Sequence, residues 1–293
     1  MIGGLSRASG GLIKDMAAGL KSPVCRIGGK AMLTGWLMKH IPRHVMYCEP
    51  FAGGASLLFA KKPSRVEILN DIDGVLVNLY RCIQNVDKRS RLVQLLNETP
   101  YSRSVFDTWK YNKDVPAGDI EKAARYFFLS KASFAGDTVR GGFACPSVTG
   151  RNPAQTFRNA VESLEAVASR LKGVTIECLD YAECVKRYDS ETTLFYCDPP
   201  YMDAEHFYGN GFKSEDHDRL AELLHNIKGR AMVSHYRDSR YDDLYRGWPR
   251  YEYQSFKGSY KSVGESKPVT IEILYANYKP FTKRSLFDAV VLE

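Results

Sequence analysis

No run of about eighteen apolar residues occurs in the 293-residue chain, so no membrane-spanning helix is expected. The chain opens Met-Ile-Gly-Gly-Leu-Ser-Arg, without the apolar segment and small-residue cleavage site of a secretory leader, and none is expected. There is no Cys-x-x-Cys pair either. The seven cysteines stand at 25, 48, 82, 145, 178, 184 and 197, a spacing that builds no zinc ribbon or finger, and no metal site is expected. Several lie in apolar runs such as Tyr47-Cys48 and Phe195-Tyr196-Cys197, where a free thiol packs as a small hydrophobe. A reducing, cytoplasmic compartment fits that usage. Internal repeats are absent. The composition, 44% hydrophobic and 26% charged, excludes a disordered or low-complexity chain.

What is present begins with charge. Lys and Arg number 41 against 34 Asp and Glu, a formal +7. The excess is uneven. Residues 1–50 hold seven basic against two acidic residues, and residues 101–160 hold nine against five. Two basic segments on a neutral body suggest a polyanion partner, although a solvated surface explains them equally well.

Short apolar runs alternate with helical periodicity. Val45–Cys48, Arg65–Leu69, Val174–Cys178, Thr193–Cys197 and Ala231–Ser234 are predicted strands, and Val269–Tyr278 alternates as a closing strand. A helix is predicted from Lys30 to the stop at Pro42, with further helices at 55–61, 75–84 and 215–227. The last begins with Ser214 as N-cap, which leaves His217 no chemistry. Such alternation predicts an open, mostly parallel α/β sheet. Residues 82–173 differ: helices at 89–97, 104–111, 120–130 and 155–171 surround a Gly-rich polar segment, 133–150. The expected organisation is an arm at 1–21, a core of 22–81 and 174–280, an insertion at 82–173 and a tail at 281–293.

Four motifs fall beside these elements, three of them at carboxyl ends of strands, where open α/β sheets bind ligands. Glu49-Pro50-Phe51-Ala52-Gly53-Gly54 is a Gly-rich strand-to-helix turn. It lacks the Gly-Lys-Ser/Thr of a phosphate loop and the spacing of the dinucleotide fingerprint. Asn70-Asp71-Ile72-Asp73 ends the next strand, with Asp71 placed for ribose hydroxyls and Asp73 for a helix cap. Together the two turns point to an adenosine-containing cofactor without phosphates. Asp198-Pro199-Pro200-Tyr201 follows a strand that its prolines end abruptly. Asp198 and the Pro199 carbonyl then make a rigid acceptor pair beside an aromatic ring, suited to an exocyclic amino group. The fourth is Arg26-Ile-Gly28-Gly29-Lys30, ahead of the first helix.

In this order and spacing, over roughly residues 22–280, the chain resembles the Dam-like family of adenine-specific DNA methyltransferases. The family's pattern runs from Gly28–Lys30 through Glu49–Gly53 and Asp71-Ile72 to Asp180-Tyr181, Asp198–Tyr201 and Glu272–Tyr278. The resemblance implies a Rossmann-like methyltransferase sheet, a mostly helical target-recognition insertion carrying a β-hairpin, and S-adenosylmethionine as cofactor. It implies cofactor contacts from Arg26, Gly28, Lys30, Glu49, Pro50, Phe51, Gly53, Asp71, Ile72, Asp180, Tyr181 and Asp198. Among these, Asp71 takes the ribose, Asp180 and Tyr181 the adenine. Many members carry an aromatic residue in place of Arg26.

Asp198, Pro199, Pro200 and Tyr201 are implied as the catalytic group. They act on the N6 amino group of an adenine flipped from duplex DNA and stacked on Tyr201, without a metal or covalent intermediate. The hairpin is expected over Ser130–Pro146. Lys131 is expected on phosphate, Phe134 as a wedge in the base stack and Arg140 at a guanine edge. Phe134 and Ala135 stand where the family usually has Tyr and Asn. The enzyme is expected to act site-specifically, as restriction-modification methylases do, as a monomer or as a dimer on DNA. The readings weighed against it are cytosine-N4 methylation, an RNA or protein-amide target, and a DNA-binding relative without catalysis.

Overall fold

A computed structural model of the chain describes residues 20–26, 28–112, 114, 116–202, 211–256 and 269–279. The expected arm falls almost wholly, and the tail wholly, outside them. Among the described residues seven strands form one sheet: β1 (Met46–Glu49), β2 (Val66–Asn70), β3 (Val174–Glu177), β4 (Thr193–Cys197), β5 (Arg230–Tyr236), β6 (Arg250–Phe256) and β7 (Val269–Ala276). Their order is β3-β2-β1-β4-β5-β7-β6. β1 to β5 pair in parallel, and β7 lies antiparallel between β5 and β6. The fold is the expected Rossmann-like α/β sheet.

Every residue of β4 is buried, as are the last three of β1. Both faces of these strands are covered by helices, which is why they read as continuous apolar runs rather than alternating ones. From β1 the chain winds outward through β2 to β3, then returns to lay β4 on the other side of β1. A crevice opens at the carboxyl ends where the order reverses. Glu49 pairs beside Leu69, and Cys48 beside Phe195, so the turns after β1, β2 and β4 emerge on one edge.

The helices are α1 (Thr34–Leu37), α2 (Ser56–Ala60), α3 (Gly74–Gln84), α4 (Val86–Glu98), α5 (Arg103–Tyr111), α6 (Asp119–Ala132), α7 (Pro153–Glu162), α8 (Leu164–Leu171), α9 (Tyr181–Tyr188), α10 (Ser214–His225) and α11 (Ser239–Leu244). Asp73 starts α3 as expected, its side chain accepting the Val75 and Leu76 amides; Asn85, Ser102 and Asn152 do the same for α4, α5 and α7. One sheet face and the 82–173 segment share a core running from Tyr47, Leu58 and Leu76 to Leu92, Phe127 and Phe157. The other face packs Cys48, Phe195 and Val233 against Val185, Leu224 and Tyr245.

Several details differ from the sequence reading. The helix from Lys30 is α1 flanked by two 3-10 turns, Lys30–Met32 and Met38–His40; Ile41, before Pro42, is extended. The expected helix at 155–171 is α7 and α8, broken at Ser163, whose hydroxyl donates to the Ala160 carbonyl at 2.8 Å. Ser214 is not the cap of α10. Lys213 occupies that position, its amide donating to the Asp216 carboxylate at 2.8 Å, while the Ser214 hydroxyl is engaged by Arg240. β6, α9 and α11 were not anticipated. The boundary drawn at 82 falls inside α3. At the expected hairpin the strand pairing is a single antiparallel bridge, Ser133 to Phe143. It is flanked by hydrogen bonds from the Phe134 amide to the Gly142 carbonyl, 2.8 Å, and from the Ala144 amide to the Ala132 carbonyl, 2.7 Å. Regular pairing stops there because Phe134–Gly136 turns as a 3-10 helix with Ala135 and Gly136 at positive φ. Gly136 packs against the Cys25 backbone, where a Cβ would meet it at 2.8 Å.

Candidate active site

At the carboxyl edge, Asn70 joins the turns that follow β1, β2 and β3. Its side chain donates to the Pro50 carbonyl at 2.9 Å and to the Leu179 carbonyl at 3.1 Å, and accepts the Leu179 amide at 2.8 Å. This buried clamp fixes a cleft of about 1140 Å³, open solvent at its mouth included, walled by the four sequence motifs.

The β1 turn supplies its floor. Burial pushes the Glu49 carboxyl up to about 8. Its Oε1 accepts the Tyr47 hydroxyl at 2.8 Å and the Leu58 amide at 2.9 Å, tying β1 to α2. Phe51 stacks on Tyr181, ring centroids 5.1 Å apart, and meets Phe212 edge-on. Gly53 turns with φ +48°, its amide donating to Asp71 Oδ2 at 2.8 Å and its carbonyl accepting the Tyr80 hydroxyl at 2.8 Å. Asp71 Oδ1 accepts the Asp73 amide at 2.9 Å, and Arg26 stands beside both carboxylates. Burial pushes the Asp71 carboxyl above its ordinary value, with Arg26 opposing. Ile72 sits exposed on the rim. Asp180 caps α9 through the Ala182 amide at 2.9 Å, beside Arg219.

Across the crevice stands the β4 turn. Lys30 Nζ lies 2.9 Å from Asp198 Oδ1, and the Ser234 hydroxyl donates to the same oxygen at 3.0 Å. Lys30 is itself buried, also donates to the Gly28 carbonyl at 2.8 Å, and sits 4.6 Å from the centroid of the Tyr201 ring. The Tyr201 hydroxyl donates to Glu272 Oε2 at 2.9 Å. Burial and the neighbouring Asp198 charge raise Glu272 to about 6, against the pull of Lys30. Pro199 is buried and Pro200 lines the cleft.

Arg26, Gly28, Lys30, Glu49, Pro50, Phe51, Gly53, Asp71, Ile72, Asp180, Tyr181 and Asp198 therefore all line one cleft. Lys131, Phe134 and Arg140 do not line it; they lie in and beside the single-bridge turn. Lys131 Nζ is 3.5 Å from Cys25 Sγ, the Arg151 guanidinium lies over the Phe134 ring at 5.6 Å, and Arg140 is exposed. Sequence reasoning left Asn70, Ser234 and Glu272 without roles. The signal available was a polar residue ending or interrupting an apolar strand. All seven cysteines are free. Among the described residues no group of three His, Cys, Asp or Glu is placed to hold a metal, and no helix is long and apolar enough to cross a membrane.

Comparison with known proteins bears on the chemistry. The model of the D12 class N6 adenine-specific DNA methyltransferase family matches residues 27–261. The type II methyltransferase M1.LlaDCHI of Lactococcus lactis subsp. cremoris is 23% identical over 270 residues, covering 86% of this chain and 93% of that protein. The retron Ec67 DNA adenine methylase of Escherichia coli is 24% identical over 256 residues, 83% and 87% of the two chains. The DNA adenine methylase of Escherichia coli strain K12 is 25% identical over 218 residues, 70% and 76%.

Proposed function

The chain belongs to the D12 class of N6 adenine-specific DNA methyltransferases, an enzyme family acting on DNA, and from that premise we propose how this member works. S-Adenosylmethionine is the donor, the cleft after β1 and β2 its site, and an adenine flipped from duplex DNA the acceptor. The cleft chemistry suits that cofactor. Stacking aromatics and a buried carboxylate favour a nucleoside with hydroxyls. Arg26 and Lys30 are each paired with carboxylates, so neither is left for a phosphate. Bound there, the cofactor supplies an electrophilic methyl on a sulfonium.

The chain's own part is positioning. The observation that carries the reading is the anchoring of Asp198. Lys30 and Ser234 hold one carboxylate oxygen. The other is left to accept an N–H of the adenine amino group, with the Pro199 carbonyl taking the second N–H. Two acceptors at a fixed angle draw the nitrogen lone pair out of the ring and aim it. Asp198 is also the site's acceptor for the proton that nitrogen must lose. The Tyr201 ring, expected to stack on the base, is buried beneath Lys30 and against Tyr236 and does not line the cleft; its hydroxyl is held by Glu272. The reaction belongs in the cytoplasm and is carried out by one copy of the chain. The test is nucleoside mass spectrometry of duplex DNA treated with the protein and S-adenosylmethionine. N6-methyladenine supports the reading; N4-methylcytosine or no product defeats it.

Two further outcomes follow. Asp71→Ala weakens S-adenosylmethionine binding by about 1–3 kcal/mol, the loss of charge-assisted bonds to two hydroxyls, while cofactor-free DNA binding is unchanged. A calorimetric Kd equal to the wild type's would leave Asp71 only its bonds to Gly53 and Asp73. In the turn beside the cleft, Phe134→Ala costs more activity on duplex than on single-stranded substrate, because a wedge is needed only where bases are stacked. Arg140→Ala relaxes preference at one position by about 1–3 kcal/mol. Methylation of a randomised library, supplied both as duplex and as single strands and read by sequencing, checks both. An unaltered site logo in both variants would move recognition elsewhere in 82–173.

A further inference from the structure

Arg26 enters the cleft from the segment before α1. Its Nη2 lies 3.2 Å from Asp73 Oδ2 and its Nη1 3.9 Å from Asp71 Oδ2. The three side chains are largely withdrawn from solvent, 20% exposed for Arg26, 11% for Asp71 and 17% for Asp73. Both Asp71 oxygens are already fixed by backbone amides, those of Gly53 and Asp73. Asp73 Oδ1 is spent on the first amides of α3. The guanidinium is therefore not needed to orient either carboxylate. What it adds is charge.

We propose that Arg26 is a positioning residue for cofactor binding, bridging Asp71 and Asp73 so that Asp71 faces the ribose hydroxyls as an anion. The inference rests on the cofactor site proposed above. Two carboxylates two residues apart, both mostly buried, repel each other, and each is costly to keep charged without a cation. The other titratable groups facing Arg26 are the phenols of Tyr80 on α3 and Tyr126 on α6. Burial raises both phenols, so they stay neutral. Arg26 is the cation acting on Asp71; Asp73 pushes it the other way.

The sign of the pH effect follows. With Arg26 present, the Asp71 carboxyl is held lower than burial and the Asp73 charge would otherwise leave it, so the anion is favoured. Without Arg26, burial and the Asp73 charge are opposed only by the Gly53 and Asp73 amides, and Asp71 takes up a proton at higher pH than in the wild type. Affinity is then kept at high pH and lost as pH falls through the raised value.

The experiment measures the S-adenosylmethionine Kd by calorimetry from pH 6 to pH 8.5 for wild type, Arg26→Met, Arg26→Lys and Arg26→Met with Asp73→Asn. Results are expressed as the ratio to wild type at each pH, so that the ligand's own titration cancels. The ratio for Arg26→Met is expected within about threefold at pH 8.5 and beyond about tenfold at pH 6. Arg26→Lys flattens it by restoring the charge, and Asp73→Asn flattens it by removing the repulsion. A ratio for Arg26→Met that is constant across pH overturns the proposal and leaves Arg26 as packing. Absence of wild-type binding at every pH overturns the cofactor-site reading itself.

Discussion

Asp198→Asn lowers methyl transfer by at least about 10²–10³-fold, the scale set by removing one preorganised hydrogen-bonding group from a reacting centre. The asparagine is nearly the same shape. Its oxygen can still accept from Lys30 Nζ and the Ser234 hydroxyl, so the anchored side survives. The side left toward the adenine then presents an amide NH₂, a donor set against the donors of the substrate amino group. The acceptor pair is broken and no charge remains to take the proton. Asp198→Ala gives the same chemical loss with a second cost: Lys30 is buried and keeps the Gly28 carbonyl and the Tyr201 ring but loses its paired carboxylate. The alanine variant therefore loses more thermal stability than the asparagine variant, which keeps an acceptor for Lys30 but not the charge. Single-turnover methylation measures the first effect and thermal unfolding the second, with S-adenosylmethionine binding as the control for an intact cleft. Turnover of Asp198→Asn within tenfold of wild type would remove Asp198 from the centre.

That contrast shows what the sequence carried and what it did not. The turns after β1, β2 and β4 were legible because each joins an apolar run to a turn of restricted backbone, and a parallel sheet brings such turns to one edge. The place of Asp198 on the cleft was legible for the same reason: two prolines after a buried strand leave it little freedom. Its anchors were not. Lys30 is far from Asp198 in the chain and looks like any lysine at a helix start. Ser234 looks like a pause in Ala231-Met-Val-Ser234. No periodicity links either to Asp198; only the β1–β4–β5 order does. β6 was missed because Arg250-Tyr-Glu-Tyr-Gln-Ser-Phe256 alternates aromatic with polar residues without an apolar run. The aromatic positions are Tyr251 and Tyr253, whose rings meet His40 and Trp36 at centroid distances of 4.4 and 5.3 Å. A hairpin over Ser130–Pro146 was expected from the family resemblance, whose landmarks there are glycines. They instead serve a close approach to Cys25 and a tight turn, so pairing stops after one bridge.

Charges that read as surface residues include a second buried cluster, and its removal has the largest expected effect on stability. Glu67 on β2 pairs with Lys61 after α2, Nζ to Oε1 at 2.5 Å, and with Arg170 on α8, Nη2 to Oε1 at 2.9 Å. All three are at least nine-tenths buried: side-chain exposures are 3% for Glu67, 5% for Lys61 and 10% for Arg170. Such a triad adds little net stability over an apolar packing, but removing one member leaves the others charged and desolvated. Glu67→Ala leaves two cations facing each other and is expected to cost about 3–5 kcal/mol. For a chain of this size that lowers Tm by roughly 6–20 °C. Glu67→Gln keeps an acceptor without the charge and falls between. The pH dependence has a definite sign. Burial favours the neutral acid, but the bonds from Arg170 and Lys61 outweigh it and hold Glu67 below its ordinary value. Its contribution is therefore complete above that ordinary value and is lost as pH falls through the depressed one, so the gap between wild type and Glu67→Ala closes only in acid. None of the three lines the cleft; α2 joins the two sites, the Leu58 carbonyl accepting from Arg170 and the Leu58 amide donating to Glu49. Folded Glu67→Ala at low temperature should accordingly keep its cofactor Kd within about threefold, because the loss is in the unfolding equilibrium and not in the pocket. Scanning calorimetry at neutral and acid pH decides it: a Tm within 2 °C of wild type at neutral pH means the two cations find water or other partners, and the triad holds nothing that β2 and α8 do not hold by packing.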